Sequence, residues 1–223
     1  MSLRFAGGLA ALTCAATYLF GFALLTTVLA PLGYGTDSID AMAVARFIAE
    51  QPGLLIIWNS TIYIVNALAL IVLCVALRQE IGRASPDAAA LTGAFGLVWA
   101  MLVLAAGMIA NVAIERTHAL AADPEAAAAL WQVLHAVELG LGGGNEIAGG
   151  VWILAVGLAG RRSGMFGPVV TTIATVTGLA GLVTLVPQAG EIAGAVFGLG
   201  AMIWFVGMGA TLLRGTRPVL DPA

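Results

Sequence analysis

The chain of 223 residues has no lysine, two cysteines and two histidines, and charged residues make up only 9% of it. Each scarcity excludes something. Without lysine there is no Schiff-base chemistry on a lysine, a covalently held retinal included. Soluble domains carry about 25% charged residues, so this chain cannot clothe a water-facing globule. A net charge of -3 with no basic cluster excludes nucleic acid as a partner. Cys14 and Cys74 lie inside apolar runs and read as small buried side chains, neither a disulfide nor a metal site. His118 falls in a loop, which leaves His135 without a second axial ligand for haem. His135-x-x-Glu138 reverses the Glu-x-x-His order of di-iron bundles. Phosphate loops, Cys-x-x-Cys pairs and Ser-His-Asp arrangements are missing. No cofactor and no metal are expected.

What the chain does have is hydrophobicity: 61% of its residues are hydrophobic and its mean hydropathy is +1.02. Several runs exceed the roughly 18 residues that mark a membrane-crossing helix. The expected fold is all-α, a single polytopic transmembrane bundle over residues 1–223. Its spans fall at about 5–31, 54–77, 89–114, 131–160, 166–186 and 190–213. The first run, from Phe5 to Leu32, outlasts the apolar core of a signal peptide, roughly 7–15 residues, and reads as a retained span. With the N-terminus inside, the cytoplasmic segments hold Arg4, Arg78, Arg83, Arg161, Arg162, Arg214 and Arg217, and the outer loops hold Arg46 and Arg116. This asymmetry predicts both termini in the cytoplasm, and the bacterial inner membrane as the location. The lipid bilayer is then the first partner.

Two outer segments have structure of their own. Asp37 to Gln51 reads as a short amphipathic helix, capped by Asp37, with Ile39, Met42, Ala43 and Phe47 on one face. It is expected either to lie flat on the membrane surface or to pack on the bundle. Asp123-Pro124-Glu125 starts a helix that runs unbroken through Trp131 to Gly160. From Trp131 alone that is about 45 Å at 1.5 Å per residue, against a hydrocarbon core of ~30 Å. The fourth helix must project, tilt or break. Tryptophans near span ends are expected to anchor at the interface.

Function should reside in the polar residues of the spans, because an aspartate at mid-bilayer costs about 2.5–3.5 kcal/mol. The fourth span carries His135, Glu138, Asn145 and Glu146 around Gly142-Gly143-Gly144. At 100° per residue His135 and Glu146 share a face. Counted back from Arg161, Glu146 lies about 22 Å up the helix and Glu138 about 34 Å. Glu146 is thus the deep acid; His135 and Glu138 fall near the outer surface, where water reaches them, and both stay with Asn145 and Glu191 among the candidate substrate or proton-site residues. Glu146 is either a proton or cation site or a neutral hydrogen-bonding group that glues helices. The glycines mark either close helix packing, the favoured reading, or an unwound helix. Asn59, Tyr63 and Asn66 on the second span, with Asn111 on the third, are expected to form a polar seam with Glu146. Glu191, in Ala189-Gly-Glu-Ile-Ala-Gly-Ala-Val-Phe197, repeats the setting of Glu146 in Gly144-Asn-Glu-Ile-Ala-Gly-Gly-Val-Trp152.

Three segments carry a family resemblance: Ala45-Arg-Phe-Ile-Ala-Glu-Gln-Pro52, Ala90-Leu-Thr-Gly-Ala-Phe-Gly-Leu-Val98, and the stretch from His135 through Trp152 to Arg162-Ser-Gly-Met-Phe-Gly-Pro168. In these the chain resembles a bacterial six-span membrane family catalogued as a domain of unknown function, the 4386 family. The resemblance implies a six-helix inner-membrane protein and transfers no activity and no site residue. The Gly142–Glu146 stretch is more polar than that family's pattern.

Two functions remain open. One is a small permease or channel-like protein using Glu146, with Asn59, Tyr63 and Asn66 along the path. The other is a non-catalytic accessory subunit packing against other membrane subunits, or against copies of itself. An intramembrane enzyme is a distant third.

Overall fold

The computed structural model describes residues 2–36, 38–143 and 146–214. Among them the chain is all helical. Five helical runs are long and apolar enough to cross a membrane: Leu3–Leu32, Pro52–Gly82, Pro86–Ala119, Pro124–Arg162 and Pro187–Leu213. A shorter apolar helix, Pro168–Val183, lies between the last two. The runs reach past the expected spans because polar first and last turns stay helical. A proline stands in the first turn at Pro52, Pro86, Pro124, Pro168 and Pro187, where its missing N–H costs no helix bond. Ser85 Oγ and Asp123 Oδ1 cap two of these starts.

We label the helices α1 (Leu3–Leu24), α2 (Ala41–Glu50), α3 (Pro52–Asn59), α4 (Asn66–Gly82), α5 (Pro86–Ala119), α6 (Pro124–Glu138), α7 (Ile147–Arg162), α8 (Pro168–Val183) and α9 (Gly190–Leu213). In space α1 packs on α4, α4 on α5, α5 on α7, α7 on α8, α8 on α9, and α9 back on α1, closing a ring. One end of the ring holds the start of α1, the α4–α5 turn and the end of α9; we call it the arginine end. The opposite end carries α2, α6 and the turn after α1.

Aromatic side chains fill the middle of the ring. Trp99 lies against Trp152, Phe197 and Phe205, and Trp204 packs edge-on to Trp152. All five tryptophans are at most 8% exposed, so none is the interfacial anchor that its place near a span end suggests. The small residues opposite make room for these rings. Gly150 of α7 meets the backbone of Gly178 and Gly181 on α8, where a Cβ would stand 2.7 Å from the Gly178 carbonyl oxygen. The close-packing reading therefore holds for Gly149 and Gly150.

Gly142 is different. Its φ of 127° and ψ of 14° lie outside the helical region, in backbone that favours glycine. A π-helical turn, Leu139–Gly143, precedes α7, and the fourth run breaks there. Of projecting, tilting and breaking, the chain breaks. Gly142 thus opens the helix, and Gly149 and Gly150 close-pack it.

α2 packs on the bundle rather than presenting its expected face to a surface. Val44, Ala45 and Ile48 are buried, Val44 and Ile48 in a cluster with Leu55, Trp58, Ile114 and Trp131. Asp40 caps it, accepting from the N–H groups of Met42 and Ala43 at 2.9 and 3.0 Å. Asp37, the expected cap, is outside the described residues.

Candidate functional site

The polar centre of the molecule is Glu138, the last residue of α6, only 8% exposed. Its two oxygens have separate donors. The Tyr63 hydroxyl donates to Oε1 at 2.7 Å, and His135 Nδ1 meets Oε2 at 2.8 Å. His135 reaches Glu138 because residues three apart share a helix face. Tyr63 comes from a π-helical turn, Ser60–Val65, between α3 and α4. A π turn holds one residue more than an α turn and so rotates the helix beyond it. Such turns recur at functional sites. A third π turn, Leu25–Leu29, lies near the end of the first run.

Aromatic rings enclose His135. Its ring stacks on Trp131 at 4.6 Å between centroids, and Tyr34 meets it edge-on at 6.1 Å. Tyr34 also touches Trp58 and Trp131, so it covers the cluster at the end opposite the arginines. It sits between Gly33 and Gly35, both at φ near 80°, and that tight turn aims the ring inward. Burial, and then the charge of Glu138, push the Tyr34 phenol well above its ordinary value. Tyr18 of α1 packs on Phe205, part of the aromatic floor. The polar cluster is thus bounded by Tyr34 on one side and by the tryptophan-rich floor on the other.

The structure redistributes the expected site. His135, Glu138 and Tyr63 come together. Glu138 is the buried, doubly bonded acid, contrary to the expectation of a wet surface residue. Counting along the helix measures height, and height is not burial: α2, the rest of α6 and the Tyr34 turn cover this end. Glu146 is half-buried, and its backbone N–H donates to Thr184 Oγ1 at 3.1 Å. The shared face of His135 and Glu146 does not survive the break at Gly142. Asn66 turns away from the site: its Nδ2 donates to Thr17 Oγ1 at 2.7 Å and ties α4 to α1. Asn59 is buried at the end of α3. Asn111 Nδ2 donates to Ser60 Oγ at 2.9 Å, in the same π turn as Tyr63. Glu191 is exposed in the first turn of α9 and takes no part. Asn145 lies outside the described residues. Tyr34 joins the site beyond the residues expected from the sequence. Its sequence signal is an aromatic residue between two glycines at the end of an apolar run.

A second polar cluster stands at the arginine end. Glu80 Oε2 accepts from Arg4 Nη1 at 2.7 Å and Arg83 Nη1 at 2.8 Å. Arg4 also donates to the carbonyls of Thr211, Leu212 and Arg214. It closes the exposed carbonyls at the end of α9 and pins the first helix to the last. Among the described residues, no three His, Cys, Asp or Glu side chains gather as a metal site.

The chain matches no protein-family model, no curated protein and no solved structure. The functional reading therefore rests on this geometry.

Proposed function

We propose that the chain is a six-span protein of the bacterial inner membrane, with both termini in the cytoplasm, acting as a small proton-handling permease. Glu138 is its proton site. The observation that carries this reading is the buried Glu138 carboxyl, held by Tyr63 and His135 beside the break at Gly142.

Three features support it. A carboxyl buried in protein is expensive unless donors hold it, and such groups concentrate at functional sites. Broken helices line the ion sites of transporters, where freed backbone groups serve the ligand. Barriers on both sides of the site suit a carrier that opens to one side at a time. The fifth span is α8, about 24 Å long at 1.5 Å per residue, and short enough to span only where the bilayer thins. Arg4 beside the end of α9 fits an even number of crossings.

The chemistry is set by the donors. As an anion, Glu138 accepts from Tyr63 Oη and from a protonated His135 Nδ1. When Glu138 takes a proton on Oε2, that oxygen becomes the donor, and His135 Nδ1 must accept. The imidazole then carries its proton on Nε2, on the other side of the ring. Uptake of one proton is thus coupled to a change of tautomer between Trp131 and Tyr34, and Tyr63 keeps its bond to Oε1.

The test is proton flux into proteoliposomes under a potassium diffusion potential, read by a trapped pH dye. The wild-type chain should carry protons, and Glu138→Gln should lower the rate at least about tenfold, ~1.4 kcal/mol on the barrier, with unchanged elution and melting. An equal rate in Glu138→Gln would end the proposal.

A further inference from the structure

The arginine end contains a cation that the protein does not use. Arg78, near the end of α4, is exposed and has no hydrogen-bond or ion-pair partner among the described residues. Arg4 and Arg83 differ, since both share the Glu80 carboxylate. Arg78 is nevertheless held in place. Its methylenes lie across Gly93 of α5, where a Cβ would stand 3.0 Å from its Cδ and 3.5 Å from its Cγ. Beside it runs a groove of about 390 Å³ between the start of α1, the end of α4 and the start of α5. Leu3, Val75 and Pro86 give it apolar walls, Gln79 adds an amide, and no acidic side chain lines it. An exposed apolar stripe, Leu68, Val72 and Val75, runs along one face of α4 into the groove.

We infer that this groove holds one anionic glycerophospholipid, with Arg78 on its phosphate and an acyl chain along Leu68, Val72 and Val75. A guanidinium matches a phosphate through two parallel hydrogen bonds. Basic grooves between helices on the cytoplasmic side recruit anionic head groups. The two-part shape, a cation above and a greasy track below, fits a lipid better than a free anion. A free phosphate would leave the track empty. The inference rests on the membrane reading of the proposed function and is independent of proton transport.

The experiment uses the full chain, purified in mild detergent and stripped of lipid, with added phosphatidylglycerol, phosphatidylcholine or inorganic phosphate, read by native mass spectrometry. One phosphatidylglycerol should stay bound, about fivefold tighter than phosphatidylcholine, the effect of roughly one cation at an anionic lipid. Arg78→Gln should remove that preference, Arg78→Lys should keep most of it, and Arg46→Gln at the opposite end should leave it intact. Equal retention of the two lipids, or an undiminished preference in Arg78→Gln, overturns the lipid site. Displacement of the lipid by millimolar inorganic phosphate overturns it too, in favour of a small-anion site. A chain that stays dissolved without detergent brings down the membrane reading together with this one. A chain that needs detergent yet shows no preference brings down only this one.

Discussion

Glu138 has one donor on each oxygen, so the two contacts can be separated. Tyr63→Phe removes only the bond to Oε1 and leaves His135 in place. It should destabilise the chain by about 1–3 kcal/mol, the cost of a buried acceptor losing its donor. It should also slow proton flux several-fold, because the anion is less well held. Asn66→Ala is the contrasting change. It breaks the tie to Thr17, costing about 0.6–2 kcal/mol as interhelical bonds do. Proton flux should not move, since Asn66 points away from Glu138. An Asn66→Ala chain of normal stability but without flux would contradict this division of roles. Tyr34 supplies a pH test. Its phenol is raised in the folded chain, so below the ordinary tyrosine value of about 10 it costs nothing. Above that value the unfolded chain releases the proton while the folded chain retains it, and stability falls as pH rises. Tyr34→Phe should flatten part of that alkaline loss, as seen in melting curves between pH 9 and 11 (a range set by roughly that tyrosine value).

At the scale of elements, the break in the fourth run and the seam between α7 and α8 make opposite demands on glycine. Gly142→Ala places a Cβ on backbone at φ 127°, a strain of about 1–3 kcal/mol. The expected result is either that loss in denaturation or a reclosed helix, seen as slower amide exchange over 139–147. Flux falls in both cases. Gly150→Ala drives a methyl into the backbone of α8, where no rotamer can yield. The overpacking should cost about 1–3 kcal/mol. Gly194→Ala on α9 meets nothing within 4 Å and should gain up to ~1 kcal/mol from helix propensity. Thermal melts of the three variants in one detergent would rank them, and a Gly150→Ala melt at or above that of Gly194→Ala would refute the seam.

At the scale of the whole molecule, Arg4 closes the ring. Its guanidinium joins Glu80 on α4 to three carbonyls at the end of α9. Arg4→Gln leaves Glu80 with Arg83 alone and the α9 carbonyls uncapped. Arg4 is partly solvated, with its side chain 20% exposed, so the loss should fall below the roughly 3–5 kcal/mol of a fully buried pair, at about 1–2 kcal/mol. Faster amide exchange should be confined to the first turns of α1 and the last turns of α9. Exchange rising evenly through every helix would show that Arg4 is not a local clasp.

The sequence by itself determined that the chain is helical and where its long apolar helices run. Apolar runs of this length have one low-cost backbone solution, and proline and capping residues mark where each begins. The face counted from the sequence pairs His135 with Glu146, whereas the structure pairs it with Glu138, three residues along the same helix. Tertiary structure alone decided which acid is buried. Glu138 lies beside the ring cluster of His135, Trp131 and Tyr34, and its second donor arrives from Tyr63, 75 residues away in the chain. The π turn at Ser60–Val65 and the break at Gly142 shift helical phase, so the face counted at 100° per residue for His135 and Glu146 does not hold, and Asn66 leaves the seam expected with Tyr63. Phase is additive along an unbroken helix and is lost at each irregular turn, and the site is built where such turns meet.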